Sequence, residues 1–502
     1  MSGPREITVP WKVVAIAVLG GQLVWLVLES IHIYGRFSLT SDYALFYQAW
    51  HAIAGGHLSA TTTIYRTGPF LSNHFELLVY PLALLEWIDP GGFILLVLQD
   101  LAAVLAAYVA FLWIRELLEE HWSGGPHGRD LVAGGALVVL ALDPWIWWAS
   151  AFDFHLQVFS ALFGVLTARC FWNRRWIAGS IWAALTLCCG SVESVALLGL
   201  GVGLIISGRR LWRQGLALTT ATLAWILSLN AAGYDDGSQL ATLYGYLATP
   251  APGAQVHITQ VITGILRHPR LTLDMVRAKR TYLWQTVAGS GLLGVASSIG
   301  APVALALLVP AALNAQTSVV RPEASFQVLS LLIVMPVGAV LFLCWLSRRP
   351  KRWRAAAYLL GAAAVVEALV LGGLWIPRSA PYFVRTDDRA ASVLASVLAH
   401  TPADAEVVAS NGFVGRFADR PWVYSLWQPT ATTGSVPVHT RTVEFVLAWS
   451  EGLETTPEAH TQAAILDLTQ RLHATAVLDS DGIHVFRWHP PPGVHRVSLP
   501  GL

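Results

Sequence analysis

Residues 155–190 read HLQVFSALFGVLTARCFWNRRWIAGSIWAALTLCCG, two apolar runs joined by the turn Asn173-Arg174-Arg175. Each run suits a helix in the apolar core of a bilayer, which is roughly 30 Å thick, and the arginine turn marks the face where positive charge collects. The same habit runs through the chain. Of its 502 residues, 55% are hydrophobic and only 13% charged, and the mean hydropathy is +0.54, which is outside the soluble globular range. The reading is an integral membrane protein, mainly α-helical. A net charge of +1, with no lysine run and no basic strip interleaved with aromatics, excludes nucleic acid as a partner. Cys170, Cys188, Cys189 and Cys344 lie in apolar segments without metal-ligand spacing and read as small core residues.

About eleven spans are expected, roughly 12–33, 91–114, 131–149, 155–172, 176–190, 192–207, 211–230, 282–299, 302–314, 326–346 and 355–376. The first follows Arg5 and Lys12 and lacks a small-x-small cleavage site, so it reads as an uncleaved helix. The positive-inside rule places the N-terminus inside, in a cytoplasmic (inner) membrane. It puts inside as well the turns 173–175 and 208–213, the loop 115–129, and the basic stretch Arg348-Arg349-Pro350-Lys351-Arg352-Trp353-Arg354. Residues 75–87, broken by Pro81, read as interfacial or re-entrant. The map leaves outside the loops 34–90 and 231–282, the short loop at Arg321, and everything after Pro377.

Two domains are expected: a transmembrane part, residues 1–377, carrying the outer loop 34–90, and an extracytoplasmic α/β part, residues 378–502. Within the loop, Asp42-Tyr43-Ala44-Leu45-Phe46-Tyr47-Gln48-Ala49-Trp50 has apolar residues at helical spacing behind Thr-Ser-Asp, as expected of a helix lying in the membrane plane. In the tail, the pattern predicts helices over 387–400 and 457–472, strands over 406–410, 422–426 and 445–449, and a hairpin 475–479/483–488 turned by Ser480-Asp481-Gly482.

Five polar residues interrupt this lipid-adapted chain on its outer side: Asp42, His74, Asp153, His155 and Glu193. Ionisable groups in or beside spans are costly and mark sites. Each also has a plainer reading. Asp42 could cap its helix, His74 could bond within its loop, and Glu193 could begin a helix whose dipole favours an acid. Asp153 and His155, bracketing Phe154 at a helix mouth, favour function. Together the five could hold a divalent metal, Mn or Zn for the mixed set and Mg for an oxygen-dominated subset.

Asp42 followed by Gln48, then His74-Phe75 opening an apolar Pro-containing stretch, then Asp153-Phe154-His155, then an acidic turn at Glu193, resembles the bacterial and archaeal membrane proteins of domain of unknown function 2079. That family is in turn similar in layout to the C-type (GT-C) glycosyltransferases. The resemblance implies a GT-C-like helix bundle that takes a sugar from a polyprenyl-phosphate donor, with Asp42 at the position of the catalytic acid in the first outer loop. It also implies Lys-Glu-Asp at the acidic turn and Tyr-His near the tenth span, where this chain has Val192-Glu193-Ser194 and Phe326-Gln327. Altered or lost activity therefore stays open. For the lipid phosphate the basic outer residues are Arg267, His268, Arg270, Arg277, Lys279, Arg280 and Arg321, which run against the positive-inside bias. A solvated amphipathic helix touching anionic lipid is the plainer account of that stretch. Two other classes compete, a transporter or lipid-carrier translocase and a non-catalytic membrane scaffold. Transporters place polar sites near the midplane on paired repeats, which this chain does not display.

Overall fold

The computed structural model describes residues 10–64, 67–73, 75–190, 192–232, 234, 237–248, 256–315, 326–383, 386–426, 433–448, 458–500 and 502. His74 and Arg321 lie outside the described residues. The chain divides into two compact units. One comprises 1–25, 100–149 and 156–377; the other comprises 26–99, 150–155 and 378–502.

The first unit is helical. Among the described residues, four helical segments are long and apolar enough to cross a membrane, Trp11–Gly35, Phe93–His121, Gly125–Ala151 and Lys351–Phe383, each with most of its residues in the first unit. Shorter apolar helices accompany them at Gln157–Trp172, Trp176–Leu187, Glu193–Ile206, Gly300–Leu313 and Val334–Ser347. Close packing here depends on Gly199-Leu200-Gly201-Val202-Gly203. Gly199 and Gly203, one turn apart, face the backbone at Val303 and Ile299, whereas Gly201 faces the helix Trp212–Ala231. A Cβ on Gly199 would stand 2.7 Å from the Val303 Cα, and one on Gly201 would stand 2.4 Å from the Thr219 hydroxyl. Small residues let helices approach where apolar burial cannot drive association, because lipid is as apolar as leucine.

Two expected spans are not single regular helices. Residues 282–299 form the end of the helix Arg280–Gly289 and a 3-10 turn Leu292–Ala296. Gly291, at φ +107, breaks them apart. Gly294 then presses on the Met335 backbone, where an added Cβ would lie 2.3 Å from the carbonyl. Residues 131–149 are interrupted at Leu142-Asp143, where the helix Gly125–Ala141 ends and Pro144–Ala151 begins. Asp143 accepts the Trp145 N–H at 2.9 Å, and proline at a first helical position makes the restart favourable.

In the second unit the tail builds a five-stranded sheet in the order Val423–Leu426, Glu406–Ser410, Val443–Ala448, Ile483–Trp488, Thr475–Ser480. The first three strands are parallel and the last two antiparallel. Asp481 and Gly482, at φ 50 and 75, make the turn of the final hairpin, the backbone that Asp-Gly favours. Val408, Leu426, Phe445, Leu447, Leu468 and Trp488 form its core. The helix Asp388–His400 starts where the Asp387 carboxylate accepts the Ala390 N–H at 2.8 Å. The strands Thr433–Pro437 and Arg496–Pro500 pair antiparallel as a separate ribbon.

The buried Glu406 accepts the backbone N–H groups of His439 and Thr440. Burial pushes its pKa above the ordinary carboxylate value, although those two donors pull it back. With the folded pKa above the unfolded one, stability from this group is complete at acid pH and is lost as pH climbs through the raised value. Glu406→Gln keeps an acceptor and removes the titration. Its melting temperature should therefore vary less between about pH 4 and pH 7 than that of the parent; parallel curves would show that Glu406 does not set this dependence.

The helix Ser41–Ala54 is enclosed within the second unit. Tyr43, Phe46 and Trp50 are almost fully buried, and ten of its residues are buried in all. The tail supplies the cover. Gln48 Nε2 donates to the carbonyls of Arg420 at 3.1 Å and Pro421 at 3.0 Å, while its Oε1 accepts the Thr63 N–H at 2.8 Å. Gly415 N donates to Leu39 O at 2.9 Å, and a Cβ there would lie 2.5 Å from that of Leu39. The apolar face of this helix meets protein.

Candidate functional site

The second unit brings Asp42, Asp153 and His155 together. His155 Nε2 lies 3.4 Å from Asp42 Oδ2, the imidazole being 4% and the carboxylate 22% exposed. Asp42 is thus the solvent-facing member of a pair whose other member is enclosed. It sits in the first turn of Ser41–Ala54, where the helix dipole favours a negative charge. It is not the N-cap. That position belongs to Thr40, whose hydroxyl accepts the Asp42 N–H.

His155 is positioned from three sides. Phe152 stacks on its ring at 5.6 Å with an interplanar angle of 14°, and Phe46 meets it edge-on at 6.1 Å. Its backbone N–H donates to Gln99 Oε1 at 2.6 Å, while Gln99 Nε2 donates to the Asp153 carbonyl at 2.7 Å. One buried amide therefore clamps both ends of Asp153-Phe154-His155.

Asp153 serves this geometry. It is fully buried, at φ +49, and its carboxylate accepts the Thr40 N–H at 3.0 Å together with the Thr40 hydroxyl. Thr40 starts the helix that carries Asp42, so Asp153 ties the loop bearing His155 to the helix bearing Asp42.

The remaining predicted residues are placed as follows. Glu193 belongs to the other unit, buried in the first turn of Val192–Ile206. Gly190, at φ +150, leaves room for its carboxylate, which an added Cβ would approach to 2.6 Å. Arg267, His268, Arg270, Arg277 and Arg280 are exposed on or beside the amphipathic helices Ile258–Arg267 and Pro269–Ala278, and Arg277 pairs with Asp274 at 3.5 Å. Lys279 is different: its buried ammonium donates to the carbonyls of Ala311 and Asn314, closing the C-terminal end of Gly300–Leu313. Among the described residues, no three His, Cys, Asp or Glu side chains are grouped as a metal would require.

Two residues that orient the cluster, Thr40 and Gln99, escaped sequence reading. Gln99 carried a signal, as a buried amide beside Asp100 within an apolar run. Thr40 carried only that of a helix cap.

Apolar helices in this number, with a buried acid–imidazole cluster in the unit that holds the tail, define a membrane protein carrying a polar site. The chain belongs to the family described as Predicted membrane protein (DUF2079), whose profile matches residues 35–485. No curated protein matches. Among solved structures, ArnT from Cupriavidus metallidurans in the apo state is similar to it at 11% identity and a TM-score of 0.46, over 93% of this chain and 98% of that one.

Proposed function

We propose that the protein is a membrane glycosyltransferase of GT-C layout that moves a sugar from a polyprenyl-phosphate donor to an acceptor outside the cytoplasmic membrane. The observation that supports this reading is the Asp42–His155 pair, brought to 3.4 Å across more than a hundred residues of sequence. In this reaction a bond forms from the acceptor oxygen to the anomeric carbon, and the bond from that carbon to the phosphate oxygen breaks. Asp42, partly exposed at the first turn of its helix, takes the acceptor proton, and His155 holds the carboxylate in orientation. A positioned base of this kind contributes about 10²–10⁴-fold to rate.

For the lipid phosphate we propose the exposed Arg267, Arg270, Arg277 and Arg280, which suit an anionic head group at a membrane surface. Lys279 is committed to its helix end. No step requires a metal.

The test is incubation of the purified full chain with labelled polyprenyl-phosphate sugars and an envelope extract as acceptor. Label should pass from lipid to acceptor, and should still do so in chelator. Failure across a panel of donors, in protein that melts cooperatively, would discard the reading. Transfer lost in chelator and restored by Mg or Mn would replace the metal-free scheme.

A further inference from the structure

The first unit contains a cavity of about 440 Å³ walled by the helices Gly125–Ala141, Leu331–Ser347 and Lys351–Phe383. Its lining is almost wholly apolar, with Gly135, Val139, Pro336, Val340, Gly361 and Val365 among its residues. The groove exists because small residues stand where larger ones would close it. A Cβ on Gly135 would already meet Val365 at 3.0 Å, and one on Gly361 would meet Leu343 at 3.5 Å. Leu131 and Val366, both lining residues, are 62% and 57% exposed, so the groove opens on the outward surface of the helices.

What fits there is indicated by charge at one end. Two of the three walls are joined by the short turn 348–350, which together with the first turn of Lys351–Phe383 carries Arg348, Arg349, Lys351, Arg352 and Arg354. The lining residue Tyr358 follows Arg354 by one helical turn, and Leu343 lies little more than a turn before Arg348. Among the described residues, none of these five cations has a carboxylate within ion-pair distance. Arg348 is engaged with His121, Arg349 lies over the Trp345 ring, and Lys351 and Arg352 are exposed. Trp345 and Trp353, 49% and 44% exposed, flank the turn. Exposed tryptophans beside a basic turn mark the level of lipid head groups.

We propose that this groove holds an acyl chain of an anionic bilayer phospholipid whose phosphate meets the basic stretch 348–354. Apolar walls take the chain, and uncompensated cations take the phosphate. The groove belongs to the first unit and the Asp42–His155 cluster to the second, and the inference does not depend on the transferase reading.

The full chain, purified in detergent, would be stripped of lipid and titrated with phosphatidylglycerol and with phosphatidylcholine of the same chains. Melting temperature and native mass spectra would be read. Phosphatidylglycerol should bind and raise the melting temperature, whereas phosphatidylcholine should do neither. Lys351→Gln with Arg352→Gln should weaken phosphatidylglycerol by on the order of tenfold; Arg174→Gln with Arg175→Gln, at a basic turn not lining the groove, should leave it unchanged. Gly361→Leu should fill the groove and release the lipid; should that variant misfold, the charge pair still decides. Equal binding of both lipids, indifference to Lys351 and Arg352, or selective retention of a polyprenyl phosphate in place of phospholipid would overturn the proposal.

Discussion

Asp42→Asn is expected to lower sugar transfer by about a hundredfold or more while leaving the melting temperature within a degree or two of the parent. Asparagine is nearly the same size, suits the first turn of a helix and keeps an acceptor toward His155 Nε2, now 3.4 Å from Asp42 Oδ2. What it lacks is a basic oxygen for the acceptor proton. A companion, His155→Gln, separates orientation from proton transfer. It keeps a polar side chain in the enclosed position and Asp42 chemically intact, so its loss should be smaller and should change kcat more than KM. Full activity in Asp42→Asn would remove this carboxylate from the reaction. Equal losses in both variants, each with a lowered melting temperature, would make the pair a structural contact.

The elements that sequence reading reached are those with local causes. The tail strands at 406–410 and the hairpin around Asp481-Gly482 carry their own alternation and turn residues. The ribbon of Thr433–Pro437 with Arg496–Pro500 does not: Gly434, Pro437 and Pro500 are poor strand formers, and only the pairing of two distant segments makes them strands. The break at Gly291 was passed over because hydropathy averaged over 282–299 says nothing of φ, although Gly289-Ser290-Gly291 is itself a turn signal. At the site, Asp42, Asp153 and His155 stood out as polar residues in an apolar chain. Their division of labour did not. That Asp153 bonds Thr40, 113 residues away, and that Gln99 clamps the loop are tertiary facts. The helix Ser41–Ala54 shows the same limit: an apolar face is legible, but whether lipid or protein covers it is not.

Asp153→Ala should be the most damaging single change to the second unit, at about 3 kcal/mol or more. Three costs coincide. The Thr40 N–H, in a residue with no exposure, loses its acceptor at 3.0 Å, and an orphaned buried donor costs about 1–3 kcal/mol. The Thr40 hydroxyl loses its bond to the same carboxylate. Alanine must then hold φ +49, a left-handed conformation costing roughly 1–2 kcal/mol for residues other than glycine, asparagine and aspartate. These causes can be separated by two further variants. Asp153→Asn tolerates the backbone and retains an oxygen for the Thr40 N–H, so it should lose only about 1 kcal/mol, the difference between a charged and a neutral acceptor. Asp153→Gly relieves the backbone but supplies no acceptor, so it should fall between asparagine and alanine. The order Asp, Asn, Gly, Ala in melting temperature of the detergent-purified chain is the expected result. If Asn were as damaging as Ala, a negative charge at this position, and not its hydrogen bonds or backbone, would be the requirement. Because the same carboxylate joins the His155 loop to the start of the Asp42 helix, transfer activity should follow that order as well, with Asp42 and His155 chemically unchanged in every variant.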